Sequence, residues 1–221
     1  MSSRSVSVAV VGVGLVGSEF VRQLQALRPP HPFRLVSLSN SKTTVFNPDG
    51  IPPSADWRAL LQASPTSTSP GPGGPADLVP ALAPLVRNDN AVVFVDNTAS
   101  ASVAETYPAL LRAGVHVITP NKKAFSGAQS LYDQIVDASR EGGARFLHEA
   151  TVGAGLPVLS TLKDLVATGD KVRACIALPV RLLFPLLSPV FPALRVVGCG
   201  VFYSVRGAIG YTACADDASV C

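Results

Sequence analysis

An α/β fold with a doubly wound, largely parallel sheet is predicted for this 221-residue chain by three observations. Short apolar runs of strand character alternate with segments of helical spacing across residues 6–148. The first run ends in a glycine-rich turn, Gly12-Val13-Gly14-Leu15-Val16-Gly17, that opens a helix. Two later runs end in polar clusters, Asp96-Asn97-Thr98 and Pro120-Asn121-Lys122-Lys123. In an open α/β sheet such strand ends gather on one edge, the edge at which ligands bind.

The elements follow in order. Residues 6–11 form a largely apolar run and read as a buried parallel strand. Residues 18–27 carry Phe20, Val21, Leu24 and Leu27 at helical spacing. Between strand and helix, the glycines read as a Rossmann-type dinucleotide fingerprint. Gly12 allows the tight turn, Gly14 lets backbone approach phosphate, and Gly17 lets helix and strand pack closely. The amides of the helix start then face a pyrophosphate. A second strand over residues 34–39 completes the βαβ unit. At its end, Ser39-Asn40-Ser41-Lys42 stands where an NAD-preferring domain offers a carboxylate to the ribose, and the next acid is Asp49. Hydroxyls and a lysine there suit a 2′-phosphate, which points to NADP or to tolerance of both cofactors; a solvated loop lysine is the plainer alternative.

Residues 56–63 read as a helix, and residues 65–84, dense in Pro, Gly, Ser and Thr, as a surface loop or insertion. A strand is expected over 91–95, a helix over 104–113 stopped by Gly114, and a strand over 115–119. A helix over 131–141, a strand over 145–148 and a helix over 159–168 follow.

Composition narrows the function. The net charge is +3, charged residues make up 15% of the chain, and its 18 Lys and Arg form no long cluster. An extended nucleic-acid surface is therefore excluded, and a small-molecule partner is expected. Residues 1–5 are polar with one Arg, and the glycine turn interrupts the apolar stretch behind them, so no signal peptide is read and a cytoplasmic setting is expected. The four cysteines, Cys175, Cys199, Cys214 and Cys221, match neither a zinc pattern nor a redox pair and are expected as free thiols.

Asn97 and Thr98 are candidates for hydrogen bonds to ribose or nicotinamide, and a lysine nearby for binding substrate or moving a proton. Lys123 is set aside, since adjacent lysines do not both point into one site. Along residues 148–157, glycines permit close backbone approach, and carbonyls near Glu149 suit a hard monovalent cation; a packing turn is the alternative. His148 is expected as a structural histidine.

Together the glycine turn, Asp96 to Ser100, Thr119 to Ser126 and His148 to Pro157 resemble homoserine dehydrogenase, particularly the short fungal type, from residue 6 to about residue 172. The resemblance implies reduction of aspartate 4-semialdehyde to homoserine with NADPH or NADH, on the way to threonine and methionine. It implies cofactor contacts from Gly12, Val13, Gly14, Leu15, Val16 and Gly17 with Asn97 and Thr98. Lys122 would sit between nicotinamide and substrate, as catalytic residue and cofactor contact. A structural sodium would be held by Glu149, through side chain or backbone, and by backbone oxygens of Val152, Ala154 and Leu156. The family is a homodimer.

Three regions are thus expected: a nucleotide-binding domain over 1–150, the start of a substrate and dimerisation domain over 151–172, and a divergent tail over 173–221. In the tail Pro179, Pro185, Pro189 and Pro192 interrupt an apolar run, lysine ceases after Lys171, and every cysteine arrives. Those prolines, with Arg181 and Arg195, argue against both a membrane span and a soluble helix. The second region is therefore expected to be incomplete or non-native, as a frameshifted or mis-spliced gene end would make it. An enzyme with impaired turnover is one reading, and a non-catalytic NAD(P)-binding module the alternative. A semialdehyde dehydrogenase with a cysteine nucleophile is disfavoured, because no cysteine precedes Cys175.

Overall fold

The computed structural model describes residues 5–62, 77–153, 155–169, 172–178, 200–205 and 208–213. They fall into two compact units, Met1–His148 and Glu149–Cys221.

The first unit is built on a six-stranded sheet in the order β3-β2-β1-β4-β5-β6. Its strands are β1 (Ser5–Val11), β2 (Phe33–Ser39), β3 (Thr44–Phe46), β4 (Asn90–Asp96), β5 (His116–Ile118) and β6 (Phe146–Leu147). All neighbours pair parallel except β3, which folds back antiparallel on β2 at the edge. The chain leaves β1 towards β2 on one side and later returns to place β4 on the other. Strand order reverses between β1 and β4, and that reversal opens a crevice at their carboxyl ends. Register sharpens the point: Val11 lies opposite both Ser39 of β2 and Asp96 of β4, so three turns leave the sheet at one level.

Side chains that alternate along each strand feed two cores. Ala9, Val11, Val36, Val92, Phe94 and Val117 face one layer, packed against Leu78, Leu82, Tyr107, Leu110, Leu111, Ile135 and Ala138. Val8, Val10, Leu35, Leu38 and Val95 face the other, against Val21, Trp57 and Leu61. Burial on both faces is why these strands read as largely apolar, with Ser7 and Ser37 buried among the apolar residues. The helices supplying these residues are α1 (Leu15–Gln25), α2 (Trp57–Gln62), α3 (Leu78–Leu82), α5 (Tyr107–Arg112) and α7 (Gln129–Gly142); the short α4 (Ala101–Ala104) and α6 (Lys123–Ser126) follow β4 and β5. α7 ends on Gly143 in the left-handed conformation (φ 63°), which only glycine adopts without strain.

Three expectations change. The loop expected over 65–84 contains α3 and a 3₁₀ turn, Ala83–Leu85, in its described part, because Leu78 and Leu82, one helical turn apart, are both fully buried. The rest of that loop, 65–76, lies outside the described residues. The helix expected over 104–113 is two helices, α4 and α5. Pro108 lacks the N–H that would continue one helix, and sits where a new first turn tolerates it. The three-residue β3 was not expected at all.

The second unit opens with a 3₁₀ turn (Glu149–Thr151) and α8 (Val158–Ala167). β7 (Val172–Leu178), β8 (Gly200–Val205) and β9 (Ala208–Ala213) then form an antiparallel sheet in the order β7-β8-β9. The divergent tail expected over 173–221 thus supplies strands, rich in the β-branched and aromatic residues that favour them. Its four prolines and four cysteines apart from Cys175 of β7 lie outside the described residues. No described helix is long and apolar enough to cross a membrane.

Candidate functional site

The turns after β1, β2 and β4 surround a cleft of about 700 Å³. Its walls are Val11 to Gly14, Ser39 to Thr44, and Asn97 to Ser100 with Ser102 and Val103. The Gly12 amide donates to the Ser39 carbonyl (2.9 Å) and the Asn97 amide to the Val11 carbonyl (2.8 Å), so neighbouring turns are bonded through main chain.

The three fingerprint glycines have distinct reasons. Gly12 has φ 86°, and a Cβ there would stand 2.7 Å from Thr98 Cγ2 and 2.8 Å from the Asn97 carbonyl carbon. A Cβ on Gly17 would stand 2.2 Å from the Gly12 oxygen. Both are demanded by the protein's own packing. Gly14 is different, since a Cβ there would meet nothing within 4 Å. It caps the start of α1 and borders the cleft, where the amides of the first helical turn lack intrahelical partners. Leu15 and Val16 are 73% and 50% exposed at that helix start and do not line the cleft; Gly17 packs behind it.

The β2 side is shaped by Asn40, whose Oδ1 accepts from the Lys42 and Thr43 amides, each at 2.7 Å. Ser39 Oγ donates to Thr44 Oγ1 (3.0 Å), fastening β3 to β2 below the turn. Lys42 and Ser41 are exposed on this wall. On the β4 side, Asn97 Nδ2 is buried and has no hydrogen-bond partner among the described residues. A buried amide donor left unsatisfied costs about 1–3 kcal/mol, so its presence beside the glycine turn fits a ligand acceptor there. Open space at Gly14, orphan donors at the helix start and this amide together suit a dinucleotide phosphate and ribose.

Behind the wall lies a buried polar cluster that the sequence did not disclose. Asp96, 0% exposed, accepts from the Thr98 amide (2.7 Å), from Asn121 Nδ2 (3.0 Å) and from the Tyr107 hydroxyl. Burial first, and then the Asp96 charge, push the Tyr107 hydroxyl above the usual tyrosine range, so it stays protonated as a donor. The contacts join residues 11 to 25 positions apart, from three different elements. No local spacing signals them.

Lys122 caps α6 and is exposed; it does not line the cleft. Its neighbour Asn121 connects its turn to Asp96. Lys123 lines a separate hollow of about 460 Å³ with Glu105 and Gln134, apart from the cleft. His148 stacks on Phe146 (5.0 Å) and meets Phe125 at a tilt (4.8 Å, 37°). In the second unit, the Glu149 carboxylate accepts from the amides of Leu159 (2.8 Å) and Ser160 (3.0 Å), capping α8. That employs the side chain on the helix, while the Glu149 carbonyl accepts from the Val152 amide (3.4 Å) and the Leu156 carbonyl from the Val158 amide (2.8 Å). Ala154 lies outside the described residues.

Parallel strands reversing at a glycine turn, with a dinucleotide-shaped cleft at the reversal, define a nucleotide-binding domain of the Rossmann class. Residues 12–149 match the family described as the NAD-binding domain of homoserine dehydrogenase. The chain belongs to that family. It is 41% identical over 174 residues to homoserine dehydrogenase of Emericella nidulans, and 38% over 175 residues to that of Saccharomyces cerevisiae, covering 77% and 78% of this chain and 46% of each relative. The chain therefore spans about half the length of the curated relatives it matches. Among solved structures, a Candida auris protein of unknown function superposes with TM-score 0.62 at 38% identity, over 80% of this chain and 47% of that one. A hyperthermophilic archaeal homoserine dehydrogenase in complex with NADPH superposes with TM-score 0.63 at 19% identity, over 86% and 57%, a likeness of fold.

Proposed function

We propose that the first unit binds NADPH, or NADH less tightly, in the cleft among the β1, β2 and β4 turns, and serves the interconversion of aspartate 4-semialdehyde and homoserine. The observation that carries this is Gly14, a fingerprint glycine for which the protein's own packing gives no reason. The amides of the α1 start receive the pyrophosphate, and Asn97 and Thr98 the ribose and nicotinamide side. Ser41 and Lys42, with no acid on that wall, favour a 2′-phosphate. The cofactor supplies a hydride when bound. Lys122, exposed on the turn after β5 and outside the cleft lining, would hold the substrate carbonyl and give it the proton that balances the hydride.

The same reading assigns residues 1–150 to nucleotide binding and residues 151–172 to the opening of the substrate and dimerisation region. It also includes a sodium ion on the main-chain oxygens of Glu149, Val152, Ala154 and Leu156, the homodimer, and a cytoplasmic setting. The described cleft lining contains no carboxylate, histidine or cysteine, which favours a second reading: an NAD(P)-binding module without turnover. Fluorescence titration of NADPH and an NADPH oxidation assay with aspartate 4-semialdehyde, on the same sample, separate the two. Binding with turnover supports the enzyme, binding alone supports the module, and absence of binding contradicts both.

A further inference from the structure

Asp96 ends β4 with its carboxylate fully buried, and no cation pairs with it among the described residues. Buried charge is costly, so three donors converging on it call for a reason. One oxygen accepts from the Thr98 amide, on the cleft wall. The other accepts from Tyr107 of α5 and from Asn121 of the turn after β5. Asn121 in turn donates to the Ser100 carbonyl (2.9 Å), accepts from the Lys123 amide (3.0 Å), and donates its own amide to Thr119 Oγ1 (2.8 Å). Asn121 is 2% exposed, and its side chain ties the β4 turn, at Asp96 and Ser100, to the Lys123 amide just past Lys122. Only an acceptor at both atoms of residue 96 satisfies these donors, because an amide there would set N–H against N–H.

We propose that Asp96 is a positioning residue: through Asn121 and Tyr107 its carboxylate holds the Lys122 turn in register with Asn97 and Thr98. The proposal rests on reading the cleft as a nicotinamide nucleotide site. Lys122 is exposed and stands at the N-cap of α6, between Asn121 and the Lys123 amide that Asn121 Oδ1 holds, so its backbone follows the turn that Asn121 fixes. The titratable side chain hydrogen-bonded to Asp96 is Tyr107, which remains neutral; Thr119 completes the cluster by bonding Tyr107 (3.0 Å) and the Asp96 carbonyl (3.2 Å).

The test uses the full chain and its Asn121→Asp and Tyr107→Phe variants. The readouts are NADPH affinity by fluorescence and the rate at which an amine-reactive reagent labels Lys122, by peptide mass spectrometry, with and without saturating NADPH from pH 5.5 to 8. In the unaltered chain, NADPH shields Lys122 by a factor that stays flat with pH. In Asn121→Asp two carboxylates face each other, so shielding falls about tenfold at neutral pH and returns towards pH 5.5 as the pair shares a proton. In Tyr107→Phe shielding is reduced at every pH. A purely structural Asn121 predicts no pH-dependent return. Folded variants that shield Lys122 as the unaltered chain does, or an unaltered chain that binds NADPH without shielding Lys122, overturn the proposal. Should Asn121→Asp not fold, Tyr107→Phe, which removes a single oxygen, decides alone. An unaltered chain that binds no NADPH overturns the nucleotide reading itself, and this inference with it.

Discussion

Gly14 and Gly17 stand three positions apart in one fingerprint yet answer to different constraints. Gly17→Ala drives a Cβ onto the Gly12 carbonyl at 2.2 Å. Backbone on the far side of that contact does not yield as a flexible side chain does, so about 1–3 kcal/mol of stability is lost, measurable by urea unfolding. Gly14→Ala meets open space at φ −88°, so stability is kept while NADPH affinity drops about tenfold or more. Equal NADPH affinity in Gly14→Ala and the unaltered chain would remove the main support for the cleft as a phosphate site. Tyr107 offers a second test. Its folded pKa lies above the unfolded value, so the folded state holds its proton more tightly, and that contribution is complete below about pH 10. As pH rises past the ordinary tyrosine value, stability falls by up to about 1.4 kcal/mol per pH unit. Subtracting the pH–stability curve of Tyr107→Phe isolates this slope; identical curves above pH 10 would show that Tyr107 ionises freely when folded. The glycines were legible in sequence because strand, turn and helix are contiguous. Asp96 and Asn121 were legible as members of strand ends that gather on one edge, but Tyr107 and the bonds joining the three were not, because those bonds span 11 and 25 residues and depend on which strands are neighbours.

Elements show the same division between local and distant causes. The parallel strands were legible because each is an apolar run ended by glycine or polar residues. The division of α4 from α5 was written in Pro108, but Glu105 and Thr106 between them carry no breaker of their own. β3 is too short for periodicity and exists because Asn40 folds the chain back. The turn so formed carries Lys42 on the cleft wall, and Lys42→Glu is expected to weaken NADPH binding about tenfold while leaving NADH nearly unchanged. Parallel titrations with both cofactors check this, and equal losses for the two would assign Lys42 to solvent rather than to a 2′-phosphate. α8 is capped from outside by Glu149. Glu149→Gln retains an acceptor but loses the charge at the helix start, which costs about 0.3–1 kcal/mol and speeds hydrogen exchange at Leu159 and Ser160. Unchanged exchange at those amides would deny the cap.

At the scale of the molecule, strand order follows from one reversal, and the reversal fixes where chemistry sits. β1 and β4 end level with each other, so the glycine turn and Asp96 meet although 85 residues separate Val11 from Asp96. Alternation of strand and helix made the doubly wound sheet readable. The antiparallel β7-β8-β9 sheet was not, because prolines and arginines between its strands mask any regular pattern. The proposed nucleotide site is the three-turn crevice of the first unit. Amide NMR shifts of the labelled 221-residue chain, recorded as NADPH is added, test it most directly. Saturable shifts concentrated at residues 12–17, 39–44 and 97–100 are expected. Shifts concentrated instead around Glu105, Lys123 and Gln134, or none at saturating NADPH, would contradict it.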